Sequence, residues 1–206
     1  MKTLVTIAFR NLTRHKRRTI LTGVIISFGL WIYIFMDSVM SGLDRGSIDN
    51  MINLTTSAVK IHTKEYDEEK ESLPLKYGLP NVDDIVREIE NKNRITAVTR
   101  RTQFTGELSN YEESIPVLGT IIDPVKDRNV FTLTEHLDGA YFSKESEREI
   151  ILGSELARDL DVATGEFITL YALTKYDSRN ADDFKIVGTI KTTDPTLNKS
   201  AVFISY

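Results

Sequence analysis

The strongest candidate for enzymatic chemistry in this sequence is the Ser-x-x-Lys pair formed by Ser57 and Lys60. In penicillin-binding enzymes this spacing belongs to a serine nucleophile and its lysine. The companion motifs Ser-Asp-Asn and Lys-Thr-Gly do not occur in the sequence, and Ser57 is predicted to open a strand. We therefore interpret the pair as a coincidence.

The sequence also lacks the other common motifs for nucleophiles, metals and nucleotides. It contains no G-x-x-x-x-G-K-[ST] loop, no G-x-S-x-G turn and no H-E-x-x-H pair, and the histidines at 15, 62 and 136 are far apart. It has no cysteine, which excludes disulfide scaffolds, Cys-based zinc sites and thiol enzymes. We therefore predict a non-catalytic protein without a cofactor or metal.

Acidic side chains cluster without forming a recognisable site. Segment 64–76 carries five carboxylates but lacks the glycine-containing spacing of a calcium loop, so we interpret it as a solvated surface loop. Asp83–Asp84 and Asp182–Asp183 are neighbours on the chain, which suits a helix start and a turn rather than an opposed catalytic pair.

Charge is distributed unevenly along the chain. The first 18 residues carry six basic side chains and no acidic one, and Thr19–Met36 carries no charge. Removing those six charges and Asp37 from the formal net charge of −4 leaves −9 for the rest. A nucleic-acid-binding protein would need basic charge across its folded surface, so no nucleic-acid partner is expected. The separation into a basic end, an uncharged run and an acidic remainder also argues against a wholly cytosolic soluble protein.

Residues 19–41 are predicted to form a transmembrane helix. As a helix, the uncharged run Thr19–Met36 would span roughly 27 Å, close to the thickness of the hydrocarbon core of a bilayer. Because basic flanks stay on the cytoplasmic side, residues from about 42 onward are expected to be periplasmic or otherwise extracytoplasmic.

Two alternatives for the apolar run remain open. One is a signal peptide cleaved near Val39-Met40-Ser41, although signal cores usually contain about 7–15 apolar residues and this run is longer. The other is a buried core helix, which would not be expected directly after a basic cluster. A retained membrane anchor is the favoured interpretation.

Residues 1–18 are predicted to form a basic amphipathic helix on the cytoplasmic side. Leu4, Ala8 and Leu12 recur at helical spacing, with Arg10 and Arg14 among the polar positions. Such a helix suits the anionic surface of the cytoplasmic leaflet. The alternative is that the basic residues only orient insertion of the span.

The exported region is predicted to be a mixed, strand-rich α+β domain. Helices are expected at 82–90 with Asn81 as the cap, at a capping box that begins at Thr132, and at 154–160. Strands are predicted from apolar patterning at 57–63, 95–108, 114–122, 149–152, 167–173, 184–190 and 201–205. Since the chain stops at Tyr206 inside an apolar strand, we expect the 42–206 domain to be truncated at its C-terminal end.

Several stretches resemble one family of membrane proteins. Residues 7–22, Ile-Ala-Phe-Arg-Asn-Leu-Thr-Arg-His-Lys-Arg-Arg-Thr-Ile-Leu-Thr, are similar to the start of MacB/FtsX-type ABC transporter permeases, which include the lipoprotein-releasing LolC/LolE subunits. The exported part resembles the MacB-type periplasmic core domain at 122–124, 137–142, 150–157 and 184–188. Gly165-Glu166 departs from the Gly-Asp common in the family, and the segment Gly119–Pro124 is a stretched form of its Gly-Ile-Asp-Pro turn. These departures bear on the subfamily.

The resemblance implies a permease subunit of an ABC transporter in the bacterial inner membrane, with four membrane helices of which this sequence contains the first. It implies a separate cytoplasmic ATPase that hydrolyses ATP and a second permease subunit, as a homodimer or heterodimer. ATP-driven motion would be relayed to the periplasmic domain, for lipoprotein release. Because Met1 opens the amphipathic helix with no ATPase before it, the sequence favours this type over the efflux type with a fused ATPase.

Six residues are candidates for mechanical roles in such a relay. They are Arg14, Arg17 and Arg18 at the cytoplasmic face and Gly23, Ser27 and Gly29 on the span. Small residues allow another helix to approach closely. The alternative is that all six set only topology and packing.

Other functions remain open at this stage. They are MacB-type efflux of peptides or drugs, a single-span exported binding or signalling module, and a membrane-anchored exported enzyme, which the absence of motifs disfavours. A permease predicts three further apolar runs of about 20 residues downstream. A single-span module predicts that the gene ends near Tyr206.

Overall fold

The computed structural model describes residues 6, 10, 14–70, 73–143, 148–176 and 178–206. The chain divides into two compact units, Met1–Ile48 and Asp49–Tyr206. Most of the amphipathic helix predicted over 1–18 lies outside the described residues. Within it, Thr6, Arg10 and Arg14 are helical.

The described part of the first unit is dominated by one long helix, α1, which runs from Lys16 to Asn50. Its portion Lys16–Gly46 is long and apolar enough to cross a membrane, and none of that apolar window is buried against the rest of the chain. Large apolar side chains such as Ile25, Trp31 and Phe35 are exposed around it. A helix that is apolar on all sides requires an apolar environment. α1 contains the helix predicted over 19–41 and continues beyond residue 41.

The second unit combines a sheet with short helices, which confirms the predicted α+β class with one N-terminal apolar helix. It opens with a π-helical segment, Met51–Thr56. The strands are β1 (Arg101–Ser109), β2 (Ser114–Ile122), β3 (Leu137–Gly139), β4 (Glu149–Gly153), β5 (Phe167–Leu173), β6 (Arg179–Ile190) and β7 (Ala201–Ser205). The α-helices are α2 (Lys64–Glu68), α3 (Val82–Glu90), α4 (Pro124–Asp127), α5 (Ser154–Asp159) and α6 (Pro195–Ser200), with 3₁₀ turns at Leu75–Tyr77 and Leu133–His136.

The sheet closes on itself because β6 is long enough to serve two neighbours. The strand order is β3-β6-β4-β7-β2-β1-β5, and β6 also pairs with β5. The segment 179–185 of β6 pairs with β5 in antiparallel fashion, whereas 185–190 pairs with β4 in parallel. Closure pairs β5 with both β1 and β6, which leaves fewer open strand edges than an open sheet would have.

Apolar residues fill both faces of this sheet. The interior cluster includes Phe104, Leu108, Ile150, Leu170 and Ile186, and Leu156 and Leu160 pack into it from α5 and the residue that follows it. The outer cluster is formed by Ile122, Leu133, Phe142, Ile151, Val187, Ile190, Ala201 and Phe203. Burying each large side chain stabilises the fold by about 1.5–3 kcal/mol. The outer cluster also fixes the connection between β2 and β4 against the sheet.

The strand predicted at Ser57–Thr63 is wrong, since this segment belongs to no strand. Val59 is 76% exposed and Ile61 is 53% exposed, although their alternation with polar residues is typical of a half-buried strand. Lys60 reaches β1 through a side-chain hydrogen bond to Gln103, but residues 57–63 form no backbone ladder with that strand. An alternating pattern becomes a strand only where the backbone pairs with a neighbouring strand.

Other local predictions also need correction. The strand predicted from residue 95 begins at Arg101, because Arg101 pairs with Ile122 and the partner chain then turns into α4. Asn81 precedes α3 in a left-handed conformation and makes no side-chain cap, and Thr132 makes none at the 3₁₀ turn. The loop predicted at 64–76 contains α2, which is capped by the Thr63 hydroxyl.

Candidate functional site

The three candidate arginines lie where α1 begins. Arg14 is helical, Arg17 and Arg18 occupy the first turn of α1, and all three are exposed. Arg17 and Arg18 belong to α1, whereas Arg14 lies before the turn at His15. The arrangement can bind anionic groups, such as lipid phosphates, next to the apolar part of α1.

The three small residues of α1 do not form one stripe. Successive helical residues are rotated by about 100°, so Gly23 and Ser27 lie about 40° apart while Gly29 lies about 120° from Gly23. Among the described residues, a Cβ atom added to Gly23 or Gly29 would meet nothing within 4 Å beyond its chain neighbours and the backbone of its own helix. The structure therefore brings Gly23 and Ser27 to one face and places Gly29 elsewhere.

An aromatic stack covers another part of α1. The ring of Trp31 lies 5.9 Å from that of Phe28 and 5.7 Å from that of Phe35, with nearly parallel planes. Their i, i+3, i+7 spacing fixes these three rings on one side of the helix.

The helical run ends at a π-helical segment, two of whose carbonyls accept hydrogen bonds from residues much further along the chain. The last bond of the segment runs from the Ser57 amide to the Ile52 carbonyl, and Ser57 has a φ of +58° that turns the chain away. The Asn53 and Leu54 carbonyls then lack partners within the helix. The Thr132 amide donates to the Asn53 carbonyl at 3.0 Å, and Arg101 donates to the Leu54 carbonyl at 2.6 Å.

Arg101 is the centre of this arrangement, which we call the Arg101 cluster: Leu54, Arg101, Asp127 and Phe131. The guanidinium donates to both carboxylate oxygens of Asp127 at 2.7 Å each, and its carbon lies 3.3 Å from the centre of the Phe131 ring. The side chains of Arg101 and Asp127 are 11% and 1% exposed. A bidentate pair buried over an aromatic ring fixes the guanidinium rigidly. A cation at the C-terminal end of the helical run also interacts favourably with the helix dipole.

Tyr141 extends the same region. The Arg128 guanidinium lies 4.2 Å from its ring centre. Burial raises the pKa of the Tyr141 phenol to about 12; the negative charge of Asp127 adds to the increase, and Arg128 opposes it. A raised folded-state pKa means that the unfolded chain ionises first as the pH rises.

We expect the stability of the strand-rich unit to fall between about pH 10 and pH 12 because of Tyr141. Below that window both states hold the proton, so the contribution is fully present. Replacing Tyr141 with phenylalanine should flatten the pH dependence of the denaturant midpoint in this window. Exposed Tyr111 provides the control, since Tyr111→Phe should leave the alkaline loss of stability as it is in the natural chain. An unchanged profile in Tyr141→Phe would contradict the assignment.

Ser57 and Lys60, which carry the Ser-x-x-Lys spacing, both lie outside the helices. The Lys60 ammonium donates to Gln103 at 3.1 Å, and burial lowers the pKa of Lys60. His62 instead pairs with Asp67 at 3.3 Å. Within the described ranges, no group of three or more His, Cys, Asp or Glu side chains could hold a metal.

Comparison with known proteins identifies the family. A family model of the MacB-like periplasmic core domain matches residues 19–206. The chain belongs to this family. The match confirms the MacB/FtsX-type resemblance of the sequence, and it includes both the apolar helix α1 and the closed sheet.

A solved structure with similarity to this MacB-like chain is the extracellular domain of the noncanonical ABC-type transporter YknZ from Gram-positive bacteria. The identity is 13%, the TM-score is 0.44, and the match covers 60% of this chain and 61% of that chain. No curated protein matches this chain significantly.

The family stretches of this MacB-like domain lie at turns of the chain. In Ile122-Asp-Pro, the Asp123 carboxylate accepts hydrogen bonds from the Val125 and Lys126 amides, and Pro124 opens α4. In the stretch 150–157, Gly153 joins β4 to α5 and lies against the backbone of α6. These residues shape turns of the domain.

Replacing Gly153 with alanine should destabilise the MacB-like domain by about 1–3 kcal/mol, because the added methyl group overpacks a backbone contact. Its Cβ would lie 2.3 Å from the Asn198 carbonyl oxygen and 2.5 Å from that of Leu197. Gly78→Ala is the matched control, because a Cβ there meets only the Leu75 carbonyl oxygen, at 4.0 Å. Equal denaturant midpoints for the two variants would contradict the close approach.

Sequence reasoning missed the Arg101 cluster. Arg101 was assigned to the middle of a strand predicted at 95–108, and Asp127 attracted no assignment. The partners are separated by 26 residues along the chain and Leu54 lies 47 residues from Arg101. No spacing rule for a single element links residues that far apart. A buried arginine at a strand start becomes visible only once the sheet register is known.

Proposed function

We propose that this chain is the N-terminal part of an ABC transporter permease subunit that is anchored in the bacterial inner membrane. In this proposal α1 is its first membrane helix, residues 1–18 face the cytoplasm, and the closed sheet lies outside the cytoplasm. The observation that carries the proposal is the family match over 19–206, which joins an apolar helix and a MacB-like core domain in one chain.

The proposal assigns ATP hydrolysis to a separate cytoplasmic ATPase and makes this chain a non-catalytic subunit without a cofactor. Arg14, Arg17 and Arg18 would lie near that ATPase and the lipid headgroups. Support comes from the exposed basic face where α1 begins. A second permease subunit, identical or related, would pack against α1, and the close approach allowed at Gly23 and Ser27 suits such a contact.

For the substrate, we propose lipoproteins that are released from the outer face of the inner membrane. ATP-driven motion of α1 would reach the core domain, which would act on a substrate that never crosses the bilayer. Support comes from residues 7–22, which are similar to the start of MacB/FtsX-type permeases, a group that includes the lipoprotein-releasing subunits.

The experiment is purification of the full-length permease from its native membrane, followed by identification of the proteins and lipid-modified chains that co-purify. We expect an ABC ATPase and one or more lipoproteins. An ATPase without lipoproteins, together with stimulation of ATP hydrolysis by small toxic compounds, would indicate efflux instead. A chain that ends near Tyr206 and captures no ATPase would contradict the permease proposal.

A further inference from the structure

We propose that the Arg101 cluster is the joint through which α1 acts on the closed sheet, with Arg101 as its positioning residue. This inference rests on the proposed permease function. It assigns to four residues of the core domain a role in coupling that the family membership does not specify.

The first observation is that the cluster caps the end of the helical run. The Asn53 and Leu54 carbonyls are among those that the π-helical segment leaves without helical partners, and they accept hydrogen bonds from the Thr132 amide and from Arg101. The Leu54 side chain is 1% exposed, so the segment is also held by packing. A displacement of the chain that leaves α1 must therefore pull on Arg101 or break its bonds.

The second observation is that Arg101 belongs to the sheet itself. It is the first residue of β1 and pairs with Ile122, whose side chain is fully buried in the outer cluster. Its guanidinium is held on Asp127 of α4 and on Phe131. The Leu54 carbonyl is thus connected to β1 and α4 through the Arg101 side chain, which is buried and held at both of its ends.

The third observation is the local backbone. π-Helical turns are rare and recur at functional sites, and a left-handed non-glycine residue is strained. Here both features occur together, in Met51–Thr56 and at Ser57. The cluster stabilises a helix end that would otherwise fray, which explains why so many contacts converge on it.

The test uses the full-length permease assembled with its ATPase, and the variants Arg101→Lys and Asp127→Asn. Lysine cannot hold both Asp127 oxygens and the Leu54 carbonyl at once, yet it retains the charge. Hydrogen exchange is measured with and without ATP plus vanadate. In the Arg101→Lys protein without nucleotide, we expect the amides of 53–57 to exchange about tenfold to hundredfold faster, with β2 and β7 unchanged.

With ATP and vanadate, the exchange of the wild-type core domain should change. In both variants that response should shrink or disappear, although the partner ATPase still hydrolyses ATP when vanadate is absent. Arg179→Gln is the matched control, because Arg179 pairs with Glu107 of β1 at the surface and should alter neither readout. Both substitutions are conservative. If one variant loses hydrogen-exchange protection across the whole sheet, the test is made on the other variant alone.

The outcomes separate the two claims. Normal hydrogen-exchange protection of the amides of 53–57 in both variants would overturn the proposal that the Arg101 cluster is the joint. Faster exchange of these amides with an intact response to ATP would overturn it as well. A wild-type core domain that does not respond to ATP would instead contradict the proposed relay, while the nucleotide-free comparison would still test whether Arg101 holds the helix end.

Discussion

Replacing Asp127 with leucine is expected to destabilise the closed-sheet domain by about 3–5 kcal/mol, because it leaves the Arg101 guanidinium buried without a counter-charge. The Asp127 side chain is 1% exposed and accepts two hydrogen bonds from Arg101. Few single substitutions elsewhere in the domain should cost as much. Denaturant unfolding of the chain in detergent, followed by tyrosine fluorescence or circular dichroism, measures the loss.

The double variant Arg101→Met/Asp127→Leu separates an unpaired charge from lost packing. Since it removes both charges, we expect it to recover much of the stability lost in Asp127→Leu. The surface pair Arg100–Asp83, at 3.1 Å, provides the comparison, and Asp83→Asn should cost less than about 1 kcal/mol. A loss in Asp127→Leu no larger than that in Asp83→Asn would show that the buried pair contributes little.

The second large effect is expected in α1. Placing arginine at both Ile26 and Leu30 should oppose membrane insertion by roughly 6 kcal/mol or more, because each charge is unfavourable by about 3 kcal/mol near the centre of a span. Both residues lie in the uncharged run and are exposed along α1. We expect the Met1–Tyr206 chain to be lost from the carbonate-resistant membrane fraction.

Arginines at Val59 and Ile61 form the matched control. These residues are also apolar and exposed, but they follow the helix rather than lie within it. The control should remain in the membrane fraction as fully as the natural chain does. If the variant at 26 and 30 stays in the membrane as well, α1 does not anchor the chain through its apolar run.

The parts of the fold that the sequence predicted well are those determined within one element. The strands at 114–122, 167–173 and 201–205 have the predicted bounds. Runs rich in β-branched and aromatic residues determine these strands, and each strand contributes buried side chains to the closed sheet. The apolar helix was predicted for a similar reason, because the length of an uncharged run depends on no other part of the chain.

The features that escaped prediction depend on partners distant in sequence. Val59 and Ile61 alternate as a strand would, but both side chains are exposed and their segment pairs with no strand. Gly23, Ser27 and Gly29 were predicted as one set of small residues, although the rotation of the helix places Gly29 on a different face from the other two. The role of Arg101 follows from strand register and a π-helical exit, neither of which leaves a pattern in the residues near it.

The central claim is that α1 spans the membrane and places the closed sheet outside the cytoplasm. Since the sequence has no cysteine, single cysteines at Lys16 and at Glu112 can report this without background. Both residues are exposed, at the start of α1 and at the turn between β1 and β2. In intact spheroplasts, a membrane-impermeant maleimide should label Glu112→Cys, and should label Lys16→Cys only after permeabilisation. Labelling of Lys16→Cys alone in intact spheroplasts, or of Glu112→Cys only after permeabilisation, would contradict the account.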